Sequence, residues 1–145
     1  MKVKQAMTSE VRVASPEQTI REAAQLMAEL DAGALPVAEN DRLVGMITDR
    51  DIAVRAVAEG LPADTPVSEI MSREVLYCFE DQALDDVARN MGQVQVRRLP
   101  VVNRDKRLVG IVSFADLART EQPTTVGRAV SHVSEPGGKH SQTAH

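Results

Sequence analysis

The chain has 145 residues, 43% apolar and 26% charged, with 17 Lys and Arg against 21 Asp and Glu for a net charge of -4. That size holds one domain or two small fused ones, and the negative balance with only 2% aromatic residues speaks against a phosphate-backbone or single-strand nucleic-acid binder. The single cysteine, Cys78, excludes an intrachain disulfide and a cysteine cluster for zinc, and no apolar run approaches the ~20 residues of a membrane span.

The chain opens on "MKVKQAMTSEVRVASPEQ", which lacks the apolar core of a signal peptide, so a reducing cytoplasm is the expected setting. Within it, "VKQAM" is a short apolar segment and "VRVA" reads as a strand. A helix follows. Ile20, Ala23, Ala24, Met27 and Leu30 fall on one face, and Gly33 is placed to stop the helix in the left-handed conformation. Strands are expected at "ALPVA" and "RLVGMIT", then a second helix from Asp49. "EGLPADTP", 59–66, has the composition of a linker.

The order then begins again. "VSEIM", a strand at "VLYC", a helix on Leu84, Val87, Ala88, Met91 and Val94, strands at "RLPVV" and "RLVGIVS", and a helix from Phe114 complete a second pass. A shift of 64 lays Val3 on Val67, Met7 on Met71, Gln18 on Gln82, Met27 on Met91 and the first "LPV" on the second. One residue enters near "NRDK", after which a shift of 65 lays Asp51 on Asp116. The chain is a tandem of two homologous β-α-β-β-α halves, residues 3–64 and 65–120. Residues 121–145 are expected to hold one short helix capped by Thr125 and a flexible tail.

Each half carries one motif, "GMITDRD" at 45–51 and "GIVSFAD" at 110–116. Thr48 and Ser113 each end a strand and begin a helix. One reading is a helix cap, the hydroxyl satisfying a free backbone N–H and the acid three residues on completing a capping box. The other is a ligand site. A hydroxyl at that junction can bond phosphate or ribose, and an ionised Asp can accept from both hydroxyls of a ribose. Gly45 and Gly110 would permit close backbone approach. Locally the two readings stay level.

Taken whole, "VKQAM" and "VSEIM", "GALPV" and "VRRLPV", "GMITDRD" and "GIVSFAD" resemble the cystathionine β-synthase (CBS) domain family, as a stand-alone pair of such domains over residues 3 to about 118. The resemblance implies an α+β fold of two β-α-β-β-α units with pseudo-twofold symmetry and two clefts between them. It implies binding of an adenosine-containing ligand such as AMP, ADP, ATP or S-adenosylmethionine. Asp51 and Asp116 would then hold ribose, Thr48 and Ser113 ribose or phosphate, and Arg98 phosphate, with Ala23 and Val87 near the base. Ala34 stands where Arg98 stands in the second half, and Phe114 and Ala115 replace Asp49 and Arg50.

No other chemistry competes. Cys78 has no base beside it, and His132, His140 and His145 match no metal spacing. "RRLPVVNRDKR" is a basic cluster, a solvated face by default. The function expected is a regulatory module without catalysis, metal or cofactor, which senses an adenine nucleotide or related molecule and signals to a protein partner. A homodimer is expected because Ile52, Ala53, Ala56 and Val57 line one face of their helix while Val54 and Ala58 make another apolar. The alternative is a structural or interaction protein with vestigial clefts, acting through its dimer surface.

Overall fold

The computed structural model describes residues 1–120 apart from 95. The helix expected at Thr125 and the three tail histidines lie outside the described residues. Helices and short strands alternate as the α+β reading requires, and the chain divides into two compact units. One is residues 12–75; the other joins residues 1–11 to those from Leu76 onward.

In the 12–75 unit, helix α2 (Ile20–Leu30) begins at Thr19, whose hydroxyl accepts from the Glu22 N–H at 3.1 Å while Glu22 accepts from the Thr19 N–H. It ends at Asp31, which takes the left-handed conformation (φ 52°) expected of Gly33. A short polar side chain tolerates that conformation. Gly33 serves otherwise: its carbonyl accepts from the Asp49 N–H, and a Cβ there would lie 3.1 Å from the Asp49 carboxylate. Ile20, Ala23 and Met27 are buried, but Ala24 and Leu30 are exposed. The stripe is turned toward Leu26, so the covered face is narrower than the periodicity implied.

Strands β1 (Ala34–Glu39) and β2 (Arg42–Thr48) form an antiparallel hairpin closed by Asn40 and Asp41, both at positive φ. That is the two-residue turn whose twist matches the strands. Leu35, Val37 and Ile47 are fully covered against α2, each burial contributing about 1.5–3 kcal/mol. β2 runs directly into a short helix, α3 (Asp49–Asp51), which continues as a π-wound stretch, Ile52–Val57. Only Ala56 of that stretch is fully buried; Val57 is 69% exposed.

The second unit repeats the plan. It opens with helix α1 (Val3–Ala6) and has a three-stranded sheet, β3 (Cys78–Phe79), β4 (Arg98–Val102) and β5 (Leu108–Ser113), with β3 parallel to β4 and β4 antiparallel to β5. α4 (Leu84–Val94) buries Leu84, Val87, Ala88 and Met91, and α5 (Phe114–Thr120) closes the unit. The extra residue of this half falls in its hairpin turn, where the Asn103 side chain accepts from the N–H groups of Asp105 and Arg107. The strand expected at "VRVA" is reduced to a single bridge, Ala14 beside Val37, and the one at "VLYC" to Cys78–Phe79. Both segments begin where the chain passes from one unit to the other, so their first residues have no neighbouring strand.

The leading segment of each half packs in the unit built on the other half. Val3 and Ala6 join a core of Cys78, Leu84, Val87, Met91, Leu99 and Val112, whereas Val67, Ile70 and Met71 join Ile20, Met27, Leu35 and Ile47. The hydrogen bonds repeat in register. Val3 N–H donates to Gln82 O, and Val67 N–H to Gln18 O; Leu84 N–H donates to Met1 O, and Ile20 N–H to Thr65 O.

Candidate functional site

The site begins where a strand hands over to a helix. Thr48 is extended (φ -118°, ψ 161°), which turns its hydroxyl back over the first turn of α3. Thr48 Oγ1 accepts from the Asp51 N–H at 3.0 Å, and Asp51 Oδ2 accepts from the Thr48 N–H at 2.9 Å. In the other unit, Asp116 Oδ2 accepts from the Ser113 N–H at 2.9 Å and from the Ser113 hydroxyl at 3.2 Å. The full capping box is therefore present at Thr48, and its carboxylate half at Ser113. Each Asp is 4% exposed.

One carboxylate oxygen is thus committed to the backbone. The other, Oδ1, faces an arginine one turn on: Arg55 Nε lies 3.7 Å from Asp51, and Arg119 Nη2 bonds Asp116. The Arg119 side chain is largely in solvent, whereas that of Arg55 is about half exposed and its Nη1 donates to the Ile70 carbonyl at 3.3 Å. These arginines were missed in the sequence, although acid–base pairs three or four apart on a helix are a readable signal. The result is a buried, oriented carboxylate with one oxygen toward a cation.

Gly45 and Gly110 permit the close backbone approach expected of them, and it is the leading segments that approach. A Cβ at Gly45 would stand 2.7 Å from the Ser72 carbonyl and 2.8 Å from Met71 Sδ; at Gly110 it would stand 2.5 Å from Met7 Sδ and 2.9 Å from the Thr8 carbonyl. The space is filled by the leading segments, which pair alongside: Met46 with Ser72, and Ile111 with Thr8. The glycines admit backbone, not ligand.

Arg98 is exposed at the head of β4, opposite Ser113 across the hairpin; Ala34 stands opposite Thr48. Cross-strand partners project to the same side of a sheet, so Arg98 and Ser113 share a face. Ala23 and Val87 lie in the apolar cores at 1% and 2% exposure. Their burial there is what core packing requires.

The basic cluster divides between the ends of one hairpin. Arg97 and Arg98 are at one end. At the other, Arg104 lies 4.2 Å over the Phe79 ring and pairs Asp81 at 2.7 Å, and this hydrogen-bonded guanidinium holds the Asp81 carboxyl below its ordinary range. Cys78 is buried, and the loss of solvation pushes its thiol up to about 12, so it is no nucleophile at neutral pH. Among the described residues, no group of three or more His, Cys, Asp or Glu gathers for a metal, and no helix is long and apolar enough to cross a membrane.

Comparison with known proteins bears on this arrangement. The CBS domain model matches residues 3–57 and 67–122. The CBS domain-containing protein YhcV of Bacillus subtilis is 46% identical over 133 residues, covering 91% of this chain and 94% of that protein. Among solved structures, hypoxic response protein I with two coordinated zinc ions superposes with a TM-score of 0.75 at 37% identity, over 84% of this chain and all of that one. The CBS domain pair of protein MJ0100, in complex with 5′-methylthioadenosine and S-adenosyl-L-methionine, gives 0.69 at 33% identity, over 82% and 94%. With two matched copies spanning most of its length, the chain belongs to the CBS domain family, as a tandem pair.

Proposed function

We propose that this CBS pair is a regulatory module without catalysis of its own, acting in the cytoplasm, which binds an adenosine-containing ligand (AMP, ADP, ATP or S-adenosylmethionine) and passes the bound state to a partner protein. The observation that carries the reading is the carboxylate of Asp51 and of Asp116. Each is buried and fixed by a backbone N–H, with an arginine one turn on beside its second oxygen. An ionised carboxylate is an acceptor with two oxygens, suited to the paired hydroxyls of a ribose. Thr48 and Ser113 add a hydroxyl beside each, and Arg98 a cation beside Ser113. The adenosine compounds named for the MJ0100 pair support the choice of ligand class.

The ligand acts by binding one arrangement of the module better than another, and its differential affinity sets how far the equilibrium moves. A thermal-shift panel of AMP, ADP, ATP, S-adenosylmethionine and NAD tests this. A true ligand at 100 times its dissociation constant stabilises by about 2.7 kcal/mol, and silence across the panel rejects the reading.

Silence would favour the second reading, an interaction protein whose dimer surface is the functional element. The observation behind it is the π-wound stretch, where Val54 is 41% and Val57 69% exposed. Under either reading we propose that a second copy covers these valines in a homodimer. Light scattering at micromolar concentration is expected to give twice the chain mass, and a monomeric mass counts against the dimer.

A further inference from the structure

The two motif carboxylates are paired with arginine in different ways. Arg119 lies three residues past Asp116 on α5 and bonds that carboxylate. Arg55 lies four residues past Asp51, on the π-wound stretch, and it has a second acceptor. Its Nε is 3.7 Å from Asp51 Oδ1, while its Nη1 donates to the Ile70 carbonyl at 3.3 Å. Among the described residues, Arg119 makes no such second bond.

Ile70 stands in the leading segment that packs in the 12–75 unit. Its N–H and that of Met71 donate to the Val67 carbonyl, and Ser72 exchanges hydrogen bonds with Met46, two residues before Thr48. The chain then runs on into the other unit, which it joins at Leu76. Arg55 therefore ties the site carboxylate to the backbone that leads out of its unit.

A guanidinium is rigid and planar, so Nε and Nη1 move together. The Asp51 side chain is 5% exposed, and the polar group beside its Oδ1 is this guanidinium. A hydroxyl that reaches Oδ1 has to displace it. Resting on the adenosine reading above, we propose that Arg55 relays the occupancy of the Asp51 site to residues 67–72. A ribose held by Asp51 turns the guanidinium into solvent, where about half of the side chain already lies, and the Ile70 carbonyl loses its donor. Ile70 is 2% exposed, so no water stands ready in its place, and the segment opens more easily. The coupling is reciprocal: while Arg55 holds the segment, it opposes the ribose. Occupancy of the Asp116 site leaves residues 1–8 tied as they are.

Hydrogen exchange on the full chain, read by mass spectrometry, tests this with wild type, Arg55→Met and Arg55→Lys, each alone and with AMP or S-adenosylmethionine. In wild type the ligand is expected to speed exchange over residues 67–72 by about two- to tenfold, the range of one net hydrogen bond, and not over residues 1–8. Arg55→Met is expected to show the faster exchange without ligand and no further rise with it. Its binding is expected to tighten by up to about fivefold, because the ion pair no longer has to be broken. Arg55→Lys, which has no fork to span both acceptors, is expected to follow it. Slower exchange over residues 67–72 in liganded wild type, an equal rise over residues 1–8, a wild-type response in either variant, or weaker binding by Arg55→Met overturns the relay while the adenosine reading stands. Wild type that binds neither compound overturns both.

Discussion

Asp51 and Asp116 serve the fold and, on the proposed reading, the ligand, and one substitution separates the two roles. Asparagine keeps an oxygen for the Thr48 or Ser113 N–H but loses the charge and one acceptor. Asp51→Asn with Asp116→Asn is expected to cost about 1 kcal/mol or less per site, since the arginine partners are exposed, and to abolish nucleotide-induced stabilisation in the thermal-shift panel. Retained stabilisation would remove ribose from these carboxylates. Cys78 gives a second outcome, in pH. Its folded pKa, raised by burial to about 12, lies above the unfolded value of 9.0. The folded state therefore holds the proton more tightly. The thiol's contribution is complete below pH 9 and is lost as pH rises toward 12. Denaturant titrations should show wild-type stability falling more steeply than that of Cys78→Ala across this interval, and the thiol should react with disulfide reagents only on unfolding. Much at this scale was legible. Both motif hydroxyls, both acids and the buried character of Cys78 follow from residue type and position. The bond from Arg55 to the Ile70 carbonyl was not, because 15 residues separate the two and the fold alone brings them together.

The repeated elements explain which parts of the motif are architectural. Gly45 and Gly110 lack positive φ, so alanine meets no backbone penalty there and its effect reports on space alone. A Cβ would collide with the Ser72 or Thr8 carbonyl and with Met71 or Met7. Gly45→Ala and Gly110→Ala are each expected to destabilise by about 1–3 kcal/mol, the usual cost of overpacking, read as a lowered urea midpoint at constant slope. Unchanged midpoints would mean the leading segments yield without cost. The helices were readable from their 3.6-residue period, since Ile20, Ala23 and Met27, and Leu84, Val87, Ala88 and Met91, are the residues that become core. The strands were less so. "VRVA" has strand composition, but pairing needs a neighbour, and only Ala14 finds one. Asp31 took the helix stop from Gly33 because an acid can also adopt that turn, and composition does not rank the two.

Across the whole molecule, the shift of 64 identified two halves but could not say where each leading segment docks. Similar apolar patterns at both places fit either destination, and the structure assigns Val3 and Ala6 to the unit of Leu84, and Val67 and Ile70 to that of Ile20. A chain divided between residues 64 and 65 therefore separates each leader from its core. Fragments 1–64 and 65–145 are expected to be largely unfolded alone by circular dichroism, and to regain native signal when mixed. Residues 12–75, which keep Val67, Ile70 and Met71 with their core, are expected to retain more structure than 1–64. Independent folding of both halves would contradict the exchange.

That exchange imposes an order on synthesis. Residues 12–75 can close as soon as Met71 and Ser72 have left the ribosome. The segment at residues 1–8 emerges before that unit does, yet waits for Leu84, and finally for Ile111, before its hydrogen bonds have partners. At about 5–20 residues per second, the intervening hundred or so residues take roughly 5–20 s. During that time Val3, Ala6 and Met7 have no core of their own. A helix of four residues cannot persist alone for want of nucleation, so a segment made before the 12–75 unit acquires its shape after it.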